Sequence, residues 1–318
     1  MPAERLTPDW LAGEVRRLAG PDFTPATPLA LAVSGGADSL ALLWLAARAF
    51  GARAQVLTVD HGLRAEAAGE CAMVESVAAA QGLEATRLTL APPPNGQEAA
   101  RLARYSAMAG VCRAKGIGHL LTAHHLDDQA ETLLMRLARG SGLSGLAAIR
   151  PVSAFDGLLL LRPLLGHGRG DLRAIVEAAG WRPADDPSNR DPRYDRTHAR
   201  ALLAQTPWLE AERLAASAAH LADAEAAMLW IDERLWEGRS GEAGGRLWLD
   251  PEALPPYLRR RLLARAFRAL EAPAPDGPAL TRLLQRLEAG AGGTLGGLRV
   301  RAAAGRWWLS AAPPPRRG

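Results

Sequence analysis

The chain has 318 residues, enough for one large domain and a smaller one. It contains 38 Lys and Arg residues against 34 Asp and Glu, and only two Cys residues. It has no apolar run of the roughly 18 residues that a membrane span needs, no apolar secretory signal and no cysteine pair spaced for structural zinc. We therefore expect a cytoplasmic protein with no membrane span and no disulfide framework.

Charge is distributed unevenly along the sequence. Residues 251–318 contain 12 Arg and 4 acidic residues, so the net charge of this segment is +8. The preceding residues together carry a net charge of −4. A basic end on a mildly acidic body predicts that the smaller part binds a polyanion, although a solvated surface would have the same composition.

Strand-like and helical patterns alternate over the first 180 residues or so. Apolar runs predict strands at 29–33, 54–60, 85–90, 119–125 and 158–164. Each is followed by a helical pattern, near 38–50, 66–82, 97–115, 126–139 and 169–179. This alternation predicts an α/β fold, an open parallel sheet with helices on both faces.

The pattern changes after Gly180. Residues 181–200 are rich in Pro, Asp and Arg without periodicity and are predicted to form a loop. A long helix is expected near 208–237 and a break at 239–245. A small α+β unit then follows, with a strand "RLWL", helices near 255–270 and 278–288, and a hairpin over 298–311 in which Trp307 or Trp308 faces inward. We predict a catalytic domain (1–205), a helical linker (206–245) and a small basic domain (246–318).

The segment "SGGADS" (34–39) lies between the first strand and its helix. Unpaired N–H groups at a helix N-terminus bind anions, most often phosphate. Gly35 and Gly36 allow the backbone to approach phosphates closely, and Ser34 and Ser39 supply hydroxyl groups. Asp38 would repel phosphate, so its presence indicates a bridging divalent cation such as Mg²⁺.

This segment is neither a Walker A loop nor a dinucleotide fingerprint, but it resembles the SGGxDS signature of the PP-loop ATP pyrophosphatases. Further segments at 58–64, 98–105, 123–146 and 182–200 follow in the order typical of the tRNA(Ile)-lysidine synthetase family. The resemblance is dense over about residues 28–200 and weaker to residue 318. It implies an adenine nucleotide alpha-hydrolase-like fold.

The resemblance also implies a reaction. In that family ATP adenylates the C2 oxygen of the wobble cytidine in the CAU anticodon of tRNA(Ile), and free L-lysine displaces AMP to give lysidine. The implied cofactors are ATP as substrate and Mg²⁺. The implied ATP-binding residues are Ser34, Gly35, Gly36, Ala37, Asp38, Ser39, Asp60, His61 and Arg104.

Three acids stand at the start of the helix predicted near 126–139. Asp128 and Glu131 are three residues apart and so share one helical face. They could bind the amino groups of lysine or a Mg²⁺ ion, or they could simply favour the positive end of the helix. His124 is a candidate proton acceptor from the lysine amine. The predicted catalytic residues are Asp38, Asp128, Glu131 and His124.

Arginine is the expected ligand of the tRNA phosphates, because its planar side chain binds them in a bidentate manner. Arg196 and Arg200 match the two arginines of the family pattern R-N-x-x-R, although Thr197 replaces the Asn. Arg259 and Arg260 begin a basic amphipathic helix that we expect to contact the RNA backbone.

Other functions remain open from the sequence. A PP-loop tRNA thiolase would need catalytic cysteines or an iron–sulfur site, whereas Cys71 and Cys112 lie outside every motif. A small-molecule amide ligase is disfavoured by the basic end, and a non-catalytic RNA-binding relative by the intact SGGADS segment. The sequence leaves open whether the protein is a homodimer.

Overall fold

The computed structural model describes residues 6–60, 62, 67–90, 96–184 and 195–313. His61 and residues 185–194 of the predicted loop lie outside the described residues. The chain divides into two compact units, Met1–Ala222 and Asp223–Gly318. The boundary falls inside one long helix, whereas the three-part division with a separate linker stays a prediction.

The first unit is built on a six-stranded sheet with the order β3-β2-β1-β4-β6-β5. All neighbouring pairs are parallel except β5 with β6, which form a hairpin. The α/β fold with a mostly parallel sheet is therefore confirmed, and the antiparallel edge strand is an addition to it. The strands are β1 (Leu29–Ala32), β2 (Ala54–Asp60), β3 (Ala85–Thr89), β4 (His119–Leu121), β5 (Val152–Phe155) and β6 (Leu158–Leu161).

Helices cover both faces of this sheet. Alternate residues of β1 enter different cores, since Leu29 and Leu31 pack with one cluster and Ala30 with another. The first cluster includes residues of α1, α2 and α7, and the second includes residues of α4. The helices are α1 (Pro8–Ala19), α2 (Ala37–Phe50), α3 (Ala67–Ala80), α4 (Gly96–Ala114), α5 (Leu126–Ala138), α6 (Leu143–Leu146), α7 (Arg169–Ala178), α8 (Asp195–Gln205) and α9 (Ala211–Arg239).

The segment predicted as a loop over 181–200 is helical at its end, because α8 begins at Asp195. That part of the prediction is wrong. α8 buries only Ala199, so the sequence has no apolar stripe that would have indicated a helix. Arginines of α8 instead form ion pairs with acids of α5, which is far from α8 in the sequence, and these pairs are described below.

The second unit packs two helices on one face of a five-stranded antiparallel sheet with the order β7-β8-β11-β10-β9. Its core contains Trp307, at 4% exposure, as predicted for one of the two tryptophans. The predicted break at 239–245 is instead largely a strand. The elements after α9 are β7 (Ser240–Ala243), β8 (Arg246–Leu249), α10 (Pro256–Ala269), α11 (Gly277–Glu288), β9 (Gly293–Leu295), β10 (Leu298–Ala303) and β11 (Arg306–Ala311). Across the described residues of both units, no helix has the length and apolar character needed to cross a bilayer.

Candidate active site

The predicted site lies beside β1, where the chain stops adding strands on one side of the sheet and begins adding them on the other. β1 pairs with β2 on one side and with β4 on the other, so the loops after β1 and β4 leave neighbouring strand ends. Ligands of open parallel sheets bind at such a switch point, beyond the carboxyl ends of the strands. The loop after β1 is the 34–39 segment, and the loop after β4 contains His124 and His125.

The 34–39 loop has the geometry of an anion site. Gly35 has φ +90, a backbone conformation that favours glycine, and a Cβ there would also lie 3.1 Å from the end of the Met73 side chain. Gly36 precedes α2 with no side-chain cap, which leaves the first N–H groups of α2 for a ligand. Ser39 Oγ donates to the Gly36 carbonyl at 2.9 Å and accepts from Ser34 N at 3.2 Å. The Ser39 hydroxyl therefore holds the loop in shape.

Asp38 lies in the first turn of α2 and faces the loop after β4. Its Oδ2 is 3.3 Å from Nε2 of His125. Its Oδ1 is buried and has no hydrogen-bond partner among the residues that the structure describes. A buried carboxylate oxygen left without a protein donor fits Mg²⁺ coordination, because this ion binds through one or two carboxylates together with phosphate and water oxygens. The described residues form no group of three or more His, Cys, Asp or Glu that could hold a metal by itself, so the other ligands would come from the substrate.

His125 is the centre of this acid cluster, and the sequence analysis did not select it. Its ring is 1% exposed, with Nδ1 3.3 Å from Asp127 Oδ2 and Nε2 3.6 Å from Asp128 Oδ2. Burial of the ring disfavours its charge, but the adjacent carboxylates of Asp127 and Asp38 outweigh this and raise the pKa of His125 to about 9. His125 is therefore a cation at neutral pH that holds the 34–39 loop and the start of α2 against α5.

The charge of His125 should make the stability of the protein depend on pH. A histidine pKa raised above its unfolded value adds stability that is complete below about pH 6.5 and is lost as pH rises through about 9. We expect a loss of about 3 kcal/mol in the free energy of unfolding between pH 6.5 and 10, without Mg²⁺ or ATP. Chemical denaturation across this range measures it, and His125→Gln is the control that should lack the loss. An equal loss in both proteins would contradict the assignment.

Asp127 joins the starts of two helices. Its Oδ2 accepts a hydrogen bond from the backbone N–H of Arg169, the first residue of α7, at 2.8 Å. The His125 ring beside it holds the pKa of Asp127 well below its usual range, against the opposing effect of burial. Asp127 is therefore an ionised carboxylate that fixes the loop after β4 to α7.

Asp128 and Glu131 lie on one face of α5, as predicted, and both contact arginines of α8. Glu131 is 1% exposed, and its carboxylate is 2.8 Å from Arg196 Nε, 2.6 Å from Arg200 Nε and 3.1 Å from Arg169 Nη2. Asp128 Oδ1 is 3.1 Å from Arg196 Nη2. Burial opposes ionisation of Asp128, but His125 and Arg196 lower its pKa. The negative charges of Asp128 and Glu131 are thus compensated by Arg196 and Arg200, the arginines that the sequence analysis assigned to tRNA.

His124 lies beside this cluster but has a different character. Burial lowers its pKa to about 4, and its Nδ1 is 2.8 Å from Thr122 Oγ1. It is neutral at physiological pH, which is the form that can accept a proton. A low pKa also makes it a weak base.

The remaining predicted ATP residues lie on neighbouring elements. Asp60 ends β2, next to β1, and its Oδ1 accepts from Gly62 N at 2.9 Å. Arg104 lies half-buried on α4, where burial lowers its pKa, and no described acid pairs with it. Ala37 is the first residue of α2.

Arg259 and Arg260 belong to the second unit. Arg259 Nη1 is 3.1 Å from Glu288 Oε1, and the Arg260 guanidinium lies 5.3 Å from the Tyr257 ring centroid. Both therefore have partners within their own unit, and their tRNA contacts stay a prediction.

The two cysteines are free and buried. Burial raises the pKa of Cys112 to about 11, and it also raises the pKa of Cys71, whose thiol accepts a hydrogen bond from Thr58. Thiols held in the protonated form are poor nucleophiles and poor metal ligands. The chemistry of these residues does not favour a thiolase.

Comparison with known proteins agrees with this geometry. The PP-loop domain family matches residues 11–206. A "tRNA(Ile)-lysidine synthase" of Novosphingobium aromaticivorans is 46% identical over 99% of this chain and 95% of its own length. One of Zymomonas mobilis is 44% identical over 91% of this chain and 89% of its own. The U34-tRNA thiolase NcsA of Methanococcus maripaludis, solved with its [4Fe-4S] cluster, shares the fold with a TM-score of 0.55 at 16% identity, covering 68% of this chain and 79% of its own.

Proposed function

The chain belongs to the tRNA(Ile)-lysidine synthase family of PP-loop proteins, which use ATP, and from this premise we propose the reaction that it catalyses. ATP adenylates the C2 oxygen of the wobble cytidine in the CAU anticodon of tRNA(Ile), with release of pyrophosphate. The ε-amino group of L-lysine then attacks C2 and displaces AMP. The product is lysidine, and the enzyme is a ligase that forms a carbon–nitrogen bond.

One observation carries this proposal: the phosphate loop and a carboxylate pair meet at one switch point. Residues 34–39 bind the phosphates of ATP through backbone N–H groups and the positive end of α2. Asp38 would hold Mg²⁺ through its Oδ1, which is buried and has no partner among the described residues, and the ion would supply positive charge beside the phosphates. Asp60 and His61 are proposed to bind the adenosine half of ATP, and Arg104 is the remaining residue proposed to bind ATP.

Asp128 and Glu131 bind the ammonium group of lysine in this proposal, and the arginines around them suggest when they do so. Around His125 the four carboxylates of Asp38, Asp127, Asp128 and Glu131 face three arginines and the imidazolium. This cluster is already balanced, so a further cation is not favoured. A tRNA phosphate that draws Arg196 and Arg200 towards itself would leave negative charge on α5 for the lysine ammonium.

His124 then accepts the proton that the attacking amine must lose. Its imidazole is neutral at physiological pH, and it lies within the field of Asp128, which favours the protonated ring.

The test of the function is incorporation of radiolabelled lysine into transcripts of isoleucine tRNA. We expect incorporation that needs ATP and Mg²⁺ and releases one AMP per lysine, and none when the CAU anticodon is changed to GAU. A methionine tRNA transcript, which also has a CAU anticodon, serves as the specificity control. Incorporation of sulfur, or the absence of any AMP release with tRNA and lysine, would contradict the proposal.

A further inference from the structure

The second unit has one sheet face that the helices leave uncovered. Along β8 and β11 the buried residues alternate with outward-facing ones, and the outward row contains Trp248 and Trp308. These two tryptophans are direct cross-strand partners, and Arg301 on β10 is the next residue across from Trp308. The outward residues form what we call the Trp–Arg face, which consists of Arg246, Trp248, Arg299, Arg301, Arg306 and Trp308.

The tryptophans are held in place and stay partly exposed. Trp308 donates its Nε1–H to the Ala303 carbonyl at 3.3 Å. The guanidinium of Arg306 lies 4.1 Å from the centroid of the Trp248 ring, and that of Arg246 lies 5.1 Å from the Trp308 ring. A Cβ at Gly241, opposite Trp248, would lie 2.6 Å from the indole, so only glycine leaves room for this ring.

The face has positive charge without matching acids. None of the described strand residues that point to this side is Asp or Glu, and no described carboxylate pairs with its four arginines. Two arginines of α10 differ in this respect, because Arg259 pairs with Glu288 and Arg261 pairs with Glu225 and Asp232.

A pocket adjoins the arginine end of the face. It has a volume of about 300 Å³ and is lined by Gly292, Gly293, Thr294, Arg299, Val300 and Arg301. A Cβ at Gly292 would lie 2.4 Å from the Val300 carbonyl oxygen, so the backbone approaches more closely there than any other residue would allow. The face thus combines flat aromatic rings, guanidinium groups without acidic partners among the described residues, and a recess lined in part by Arg299 and Arg301.

We infer that the Trp–Arg face binds an unpaired segment of RNA, with a base stacked on Trp308, whose ring is less covered than that of Trp248, and with phosphates bound by Arg246, Arg299, Arg301 and Arg306. Stacking on aromatic side chains along a positively charged surface is how proteins bind single strands without reading their sequence. The inference deepens the proposed function, on which it rests for the identity of the RNA as tRNA. It adds a surface on the sheet to the RNA contacts expected on α10.

The test compares charge reversal on this face with the same change elsewhere in the unit. Arg301→Glu should raise the Kd of the whole chain for the tRNA transcript at least tenfold and reduce the slope of log affinity against log salt by about 1. The matched control is Arg282→Glu on α11, an exposed arginine on the helical side of the unit. It should have a much smaller effect.

Stacking is tested separately with Trp308→Ala, which truncates a ring outside the core. It should weaken binding of a short oligouridylate about tenfold and of an RNA duplex much less, while Trp308→Phe restores most of the affinity. In the lysine assay both face variants should raise the KM for tRNA and leave kcat unchanged. Circular dichroism and thermal unfolding check that each variant is folded.

Three results would overturn the inference. The first is an equal loss from Arg282→Glu, which would show that net charge alone matters. The second is wild-type RNA affinity in the tryptophan variant. The third is the finding that the protein uses this face to bind phosphatidylglycerol vesicles and does not use it to bind RNA. In the first two cases lysine incorporation by the wild-type protein would continue, so the proposed function would stand.

Discussion

Replacement of Asp38 by Asn should lower the rate of AMP release at least 100-fold in the presence of tRNA and lysine. The amide keeps the shape of the side chain but removes the charge that would attract Mg²⁺ to the buried Oδ1. A 100-fold loss corresponds to about 2.7 kcal/mol of transition-state stabilisation. The measurement is the initial rate of AMP formation from labelled ATP at saturating Mg²⁺.

The control for Asp38→Asn is Asp127→Asn, because both carboxylates lie 3.3 Å from the same histidine ring. Asp127 lies outside the phosphate loop, so its variant should lose stability and keep AMP release within about tenfold of wild type. Equal losses in the two variants would assign the effect to the charge of His125. An unchanged rate with Asn at position 38 would remove the metal-binding role.

Much of the fold could be predicted because it follows from local periodicity. Helices α2, α4 and α5 begin and end within one or two residues of the predicted bounds. Two omissions had signals in the sequence. α1 is preceded by Thr7, whose side chain caps the helix by accepting a hydrogen bond from Trp10 N. The β5–β6 hairpin turns at Asp156-Gly157, with positive φ at both residues.

The omissions in the site have a different cause. His124 and His125 are neighbours at a strand end, and no local pattern tells which ring faces Asp38. The fold decides it by placing the loop after β1 beside the loop after β4. The pairing of Glu131 with arginines of α8 likewise joins residues far apart in the sequence, and α8 is held by charge without an apolar stripe. Sequence motifs could thus identify most of the residues in the site, but not which of these residues contact one another.

Glu131→Gln is expected to affect both stability and lysine use. The change removes the buried negative charge that balances the positive charges of Arg169, Arg196 and Arg200. We therefore expect a loss of about 3 kcal/mol in the free energy of unfolding. If Glu131 also binds the lysine ammonium, the KM for lysine should rise at least tenfold while tRNA adenylation remains detectable. Denaturant unfolding and steady-state kinetics at saturating tRNA measure the two effects.

The double variant Glu131→Gln with Arg200→Gln separates these two roles. It removes one charge of each sign from the cluster, so it should regain part of the lost stability, and a double-mutant cycle gives the coupling between the two side chains. The KM for lysine should stay raised, because restoring the charge balance does not restore the carboxylate. If the double variant recovers lysine use together with stability, Glu131 only anchors α8. If adenylation fails in the single variant at temperatures where it remains folded, Glu131 acts in the ATP step, and Asp128 is then the remaining predicted carboxylate for the lysine ammonium.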